Sequence, residues 1–329
     1  MTADKLGLPT IIVPYPGPSS EWGVQDIFVY LRPETNGVLV ESTMLKVIKS
    51  AEEYSSAMKL VYMANFPGEF ILKNNIIEQY YALKLHFAVM GRRAFTPSMI
   101  NRFNRYFHKD FQDCEVLGAF NAIHHLHMEP EELFHTWVAE EDIAVIEGQT
   151  VKKIDDIFVV NYDIPALLHK NNKETDIAVM VFRTKLGYSH VRGLVRTMHR
   201  ALVDGGIINP KFDPSRAFHY SKGPFEQIMD GIGYLFTQNR EKIGIEDFTF
   251  GNYLINRGID RDLICGSLMN PVVGIEDDDG KIREVNLLQH TSGMDYSEAY
   301  SALKRVRYQT IFIHHGPLLQ SICPCFDDR

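Results

Sequence analysis

The sequence predicts a protein of mixed α and β structure, of the α+β kind, and three patterns predict it. Strand-like and helix-like stretches alternate through the first 140 residues, two β-rich runs follow, and residues 189–203 keep an apolar spacing of three and four. With 329 residues, 45% of them hydrophobic, the chain is long enough for two domains, because single cores seldom grow beyond roughly 250 residues.

Pro9, Pro14, Pro16 and Pro18 around Ile11-Ile12-Val13 read as an extended arm, residues 1–23, laid on the body. Residues 26–31 form a buried strand, closed by the turn chemistry of Arg32-Pro-Glu-Thr-Asn-Gly37. The spacing of Leu45, Ile48, Ala51, Tyr54 and Met58 predicts a helix over 41–59 capped by Ser42 or Thr43, followed by a short strand at 60–63. Helices are expected at 75–89 and 97–107, a strand at 114–120, and a helix at 129–137 with Pro130 in its first turn.

From residue 143 the texture changes. Runs at 156–164 and 176–182, joined by the polar stretch 169–175, suggest a hairpin. The helix over 189–203 has Val191, Leu194, Val195, Met198 and Leu202 on one face and Arg192, Arg196 and Arg200 on another. Pro224 opens a further helix, 248–262 is helical, and 272–275 with 281–285 flank Glu276-Asp-Asp-Asp-Gly280 as a second hairpin. A helix at 297–306 and a strand at 310–314 complete the pattern, with no fixed-period repeat.

The 34 basic and 42 acidic residues give a formal charge of −8, which argues against neutralising a phosphate backbone, so no nucleic-acid partner is expected. No apolar run reaches the ~20 residues of a bilayer span, and the start lacks the basic and hydrophobic regions of a signal peptide. A cytoplasmic protein without a membrane span is the expectation. Cys114, Cys265, Cys323 and Cys325 are too few and scattered for a disulfide framework and are expected as buried or free thiols.

Candidate chemistry is sparse. His124, His125 and His127, with His135 beyond, form the densest set of metal-capable side chains, but no acidic or cysteine partner stands at ligand spacing, so exposed histidines and no metal are expected. Arg183 and Lys185 lie between a strand and the helix from Ser189, where backbone N–H groups and the helix dipole favour a phosphate; a solvated basic face is the plainer reading. Asp277-Asp-Asp-Gly280 lacks the chelating glutamate of a calcium loop and reads as a turn. Ser292 in His290-Thr-Ser-Gly293 is outside Gly-x-Ser-x-Gly, which disfavours an α/β-hydrolase.

The order of several fragments resembles the nucleoside diphosphate kinases. They are Ile27-Phe-Val-Tyr-Leu-Arg-Pro-Glu34, Glu78-Gln-Tyr-Tyr-Ala-Leu-Lys84, Val116-Leu-Gly-Ala-Phe-Asn-Ala-Ile123, Met128-Glu-Pro-Glu-Glu132 and Asn286-Leu-Leu-Gln-His290-Thr-Ser. The resemblance spans 24–140 and 285–307. It implies a ferredoxin-like sandwich from 24–140 plus 281–329, with 141–280 as a large inserted α+β domain. It also implies a phosphoryl relay through His290, with Arg32, Tyr81 and Asn286 around the phosphates and Mg as the companion ion if a nucleotide is bound. The family lysine is Arg32 here, its threonine falls at Met128 or Glu129, its two phosphate-binding arginines have no counterpart, and the histidine spacing is off by one. A site so depleted of charge implies impaired catalysis. A nucleotide- or phosphate-binding protein therefore stands beside two alternatives. One is a non-enzymatic scaffold, homo-oligomeric or held to a protein partner through its prolines and aromatics; the other is a metal hydrolase built on His124.

Overall fold

The structure, a computed structural model, describes residues 7–32, 35–170, 172–211, 217–239 and 241–313. The chain opens with β1 (Thr10–Val13), β2 (Gln25–Leu31), α1 (Val38–Ser50), α2 (Glu52–Ser55) and β3 (Met58–Phe66). Helices α3 (Gly68–Lys73), α4 (Ile76–Tyr80), α5 (Ala82–Met90) and α6 (Pro97–Phe107) lead to β4 (Glu115–Gly118), α7 (Ala119–Leu126) and α8 (Pro130–His135). Then come β5 (Ile143–Ile146), β6 (Gln149–Ile154), β7 (Ile157–Val160), α9 (Ile164–His169), β8 (Ile177–Thr184), α10 (Tyr188–Asp204) and β9 (Phe218–Tyr220). The remainder holds α11 (Pro224–Gly231), α12 (Thr249–Ile255), α13 (Arg261–Met269), β10 (Val272–Glu276), β11 (Ile282–Asn286), α14 (Leu287–His290), α15 (Tyr296–Lys304) and β12 (Val306–Gln309). The class is α+β.

The largest sheet has the order β1-β3-β8-β2-β9, antiparallel throughout. Its inner strands are buried on both faces because their side chains alternate. Ile27, Val29 and Leu31 pack with Ala178, Met180 and Phe182 against α1 and α10, while Phe28, Tyr30, Val179 and Val181 face α11 to α13 and α15. Thus β2-α1-β3 and β8-α10-β9 form a split β-α-β pair with both helices on one face, and residues 67–176 intervene. A second sheet, β4-β7-β6-β5, has a phenylalanine-rich core on one face and α7 to α9 on the other; a third is β11-β10-β12. No helix among the described residues is long and apolar enough to cross a membrane.

Several expectations are corrected. The division at 140/141 does not separate the sheets: β8, expected in the inserted unit, lies between β3 and β2, whereas β4, expected in the first unit, pairs with β7. The hairpin from 156–164 to 176–182 is absent, because α9 intervenes and β7 and β8 enter different sheets. The strand expected at 114–120 stops at Gly118, where α7 begins. Helix α1 starts after Gly37 with no side-chain cap; Ser42 and Thr43 sit inside it and donate to the Leu39 carbonyl oxygen. The proline-flanked arm does attach, as edge strand β1 on β3. Cys114 is a buried free thiol, but Cys265 is disulfide-bonded. Cys323 and Cys325 lie outside the described residues.

Candidate functional site

Strand β2 ends by delivering Tyr30, Leu31 and Arg32 to one rim of its sheet, and β9 sets His219 directly opposite Tyr30 in register. The two rings stack with centroids 4.4 Å apart. Pro224, at the first turn, starts α11, whose Phe225, Ile228 and Met229 enter the core. Glu226 and Asp230, four residues apart, share another face of that helix. Both carboxylates therefore reach His219: its Nε2 lies 2.9 Å from Asp230 Oδ1 and 3.8 Å from Glu226 Oε1.

Neighbouring groups orient this cluster. Ser221 Oγ donates to Asp230 Oδ2 at 2.6 Å and accepts from the Phe28 N–H at 3.2 Å. The Lys222 N–H donates to Glu226 Oε2 at 2.6 Å. Burial, reinforced by Asp230, raises the Glu226 carboxyl above the ordinary range, with His219 and Lys222 opposing. Asp230 is fully buried beneath the pair.

His219, Lys222 and Glu226 open into a cavity of about 740 Å³ where the three sheets converge. Arg32, Tyr80 and Tyr81 share this wall. Burial works against the charge of Arg32, but Tyr81, which hydrogen-bonds it, and Tyr30 and Tyr80 outweigh burial and raise its pKa. Burial, then Asp230, raises the phenols of Tyr30 and Tyr80 well above their ordinary value, so both are neutral hydroxyls at physiological pH. Among the described residues Arg32 has no carboxylate ion-pair partner. Lys84, also in the lining, is paired with Asp163 at 2.9 Å, and Asp163 also accepts from Thr150.

No family model, no curated protein and no solved structure matches this chain.

The sequence-derived residues divide between wall and elsewhere. Arg32, Tyr81 and Asn286 line the cavity. The amide of Asn286 is already used, however: Oδ1 caps α14 by accepting from the Leu288 and Gln289 N–H groups, and Nδ2 donates to the Glu147 carbonyl. His290 is not among the lining residues. Leu288 and Gln289 are, and the ~100° step per helical residue turns position 290 away from them. Its half-buried imidazole is held below the usual range by desolvation and by Arg283 and Arg305.

Arg183 and Lys185 are also not among the lining residues. The Arg183 guanidinium grips Asp26 through Nε at 2.7 Å and Nη2 at 2.9 Å and donates to the Gly17 carbonyl, while Lys185 pairs with Glu21 at 3.0 Å. His124, His125 and His127 are exposed; the only three-residue metal-capable group found among the described residues is His219, Glu226 and Asp230. Sequence reasoning missed that group. Its signal was two carboxylates four apart in a helix whose other side chains, Gln227 excepted, are apolar.

Proposed function

We propose that the protein binds a phosphorylated small molecule of nucleotide size in this cavity, with Arg32 receiving the anion. The observation that carries this reading is a charged guanidinium in a cavity wall, beside the Tyr81 hydroxyl and over the Tyr30 ring, and lacking a carboxylate partner among the described residues. A planar guanidinium offers paired donors that fit phosphate oxygens. The volume of about 740 Å³ falls within the range of roughly 300–1,000 Å³ common to small-molecule sites. Apolar Leu31, Ile77 and Met229 can pack against a base or ring, and the neutral Tyr30 and Tyr80 hydroxyls can donate.

The split β-α-β connectivity supports a ferredoxin-like reading of the core, with Arg32 at the end of its first strand. The reading includes no phosphohistidine relay, since a nucleophile at 290 would have to share the wall with Arg32. Calorimetric titration with nucleoside di- and triphosphates and with pyrophosphate tests it. Arg32→Met removes at least one charge-assisted hydrogen bond, worth about 1.5–3 kcal/mol, and should weaken binding by roughly 10- to 150-fold or more. His290→Ala should bind as the parent does. No heat with any of these compounds, or an undiminished affinity in Arg32→Met, would sink the proposal.

A scaffold role is favoured by a different observation: Trp22 and Trp137 are 87% and 85% exposed, unusual for the largest aromatic side chain. Analytical ultracentrifugation checks the homo-oligomeric form of that role. A monomer across the micromolar range would remove it.

A further inference from the structure

We infer that His219, Glu226 and Asp230 form a site for one first-row divalent cation, with its open coordination positions facing the cavity. The inference stands on the geometry of these three side chains and does not rest on the anion reading above.

One ligand atom from each residue lies within 4.8 Å of the other two. A tetrahedral ion with ligand bonds of about 2.0–2.1 Å places ligand atoms about 3.4 Å apart. The observed separations from His219 Nε2, 2.9 Å to Asp230 Oδ1 and 3.8 Å to Glu226 Oε1, bracket that spacing. Side-chain rotation is what would bring the two carboxylate oxygens, which lie within 4.8 Å of each other, to the same spacing and complete three ligands. The ion would replace the hydrogen bond that now joins Nε2 and Oδ1.

The atoms not offered to the ion are already occupied. Asp230 Oδ2 accepts from Ser221 and Glu226 Oε2 accepts from the Lys222 N–H, leaving one oxygen of each carboxylate for the centre. Glu226 Oε1 accepts no hydrogen bond among the described residues. The imidazole plane is fixed by Tyr30, stacked on it, and by Tyr80, edge-on at 6.0 Å between centroids. Such outer contacts hold ligand groups in the orientation a metal requires.

Charge points the same way. Two carboxylates and one imidazole converge here, with Asp230 fully buried and with His219 and Glu226 lining the cavity. Two carboxylates this close are relieved either by a proton or by a bound cation, and the cavity supplies an entry path for the cation. One imidazole with two carboxylates suits Mn²⁺, Fe²⁺ or Zn²⁺, while Mg²⁺ and Ca²⁺ prefer oxygen alone. Positions beyond the three protein ligands would be filled by water or, where the anion reading holds, by a phosphate oxygen.

The test is metal titration of the full chain after dialysis against chelator, with Mn²⁺ and Zn²⁺ as probes and no other ligand added. Electron paramagnetic resonance reads free Mn²⁺, elemental analysis reads bound Zn²⁺, and circular dichroism checks folding. One ion per chain is expected. Glu226→Gln, which keeps shape and removes charge, should weaken it at least tenfold, and His219→Ala should abolish stoichiometric binding. A His124→Ala, His127→Ala double variant should keep the ion. Absence of binding at millimolar Mn²⁺ and Zn²⁺, or unchanged affinity in folded Glu226→Gln, would overturn the inference. Arg32→Met separates the two ideas, because it should retain the metal while losing the anion.

Discussion

Replacing Arg183 with methionine should destabilise the fold strongly and leave anion affinity untouched. The side chain is 19% exposed and its partner Asp26 only 4%. Asp26 accepts two bonds from that guanidinium, one from Tyr15 at 2.8 Å and one from Thr249 at 2.5 Å, so a single carboxylate joins the N-terminal arm, β2, β8 and α12. Removing the guanidinium leaves a nearly buried charge with two hydroxyl donors, and breaking such a pair from one side costs about 3–5 kcal/mol. Substituting both members, Asp26→Leu with Arg183→Met, removes the orphaned charge. The double variant should therefore cost clearly less than the sum of the two single changes. Urea unfolding followed by circular dichroism gives the three differences. A single-variant cost below about 1 kcal/mol, or strict additivity, would refute the assignment of Arg183 to this junction. A loss of anion affinity equal to that of Arg32→Met would return Arg183 to the phosphate site that its place before α10 suggests.

Gly118→Ala should destabilise the second sheet by at least about 1–3 kcal/mol, since an added Cβ would stand 2.2 Å from the Ala88 carbonyl oxygen, a backbone atom that cannot step aside; thermal unfolding measures it, and a neutral change would mean that α5 can retreat from β4. Lys152 donates to the carbonyl oxygens of Phe134 and Thr136, each at 3.0 Å, and burial lowers its pKa to about 8. The unfolded chain keeps that proton to higher pH, so unfolding free energy should rise between about pH 8 and the ordinary lysine range near pH 10.5 relative to Lys152→Met. Parallel denaturation curves at pH 7.5, 8.5 and 9.5 should reveal the slope, and identical pH dependence in the two proteins would exclude it.

Local pattern made many elements legible and few of their partners. The apolar spacing of α10, the proline at the start of α11 and the acidic turn between β10 and β11 are each written within a dozen residues. The β-rich runs at β7 and β8 are equally plain as strands. Nothing local says that one joins β4 and β6 while the other lies between β2 and β3, because that choice is made by long-range packing.

The candidate site divides along the same line. Arg32 stood out only through the likeness of its strand end to the kinase fragment, Ile27 to Glu34. Arg183 looked equally exposed to a ligand, and only Asp26, 157 positions earlier, neutralises it. His219, Glu226 and Asp230 went unnoticed for the opposite reason: a histidine among aromatics and two acids in a helix look ordinary until β9 and α11 bring them together.

The order of strands in the large sheet also constrains how the chain is made. β2 and β3 leave the ribosome early, yet they never pair with each other; the strand that joins them ends at Thr184. Until it arrives, each presents unpaired backbone groups along an apolar edge, and closing the sheet requires contacts across more than 100 residues. A chain arrested anywhere between Phe66 and Ile177 would be sticky, and early translational pauses in that interval would favour aggregation over native closure.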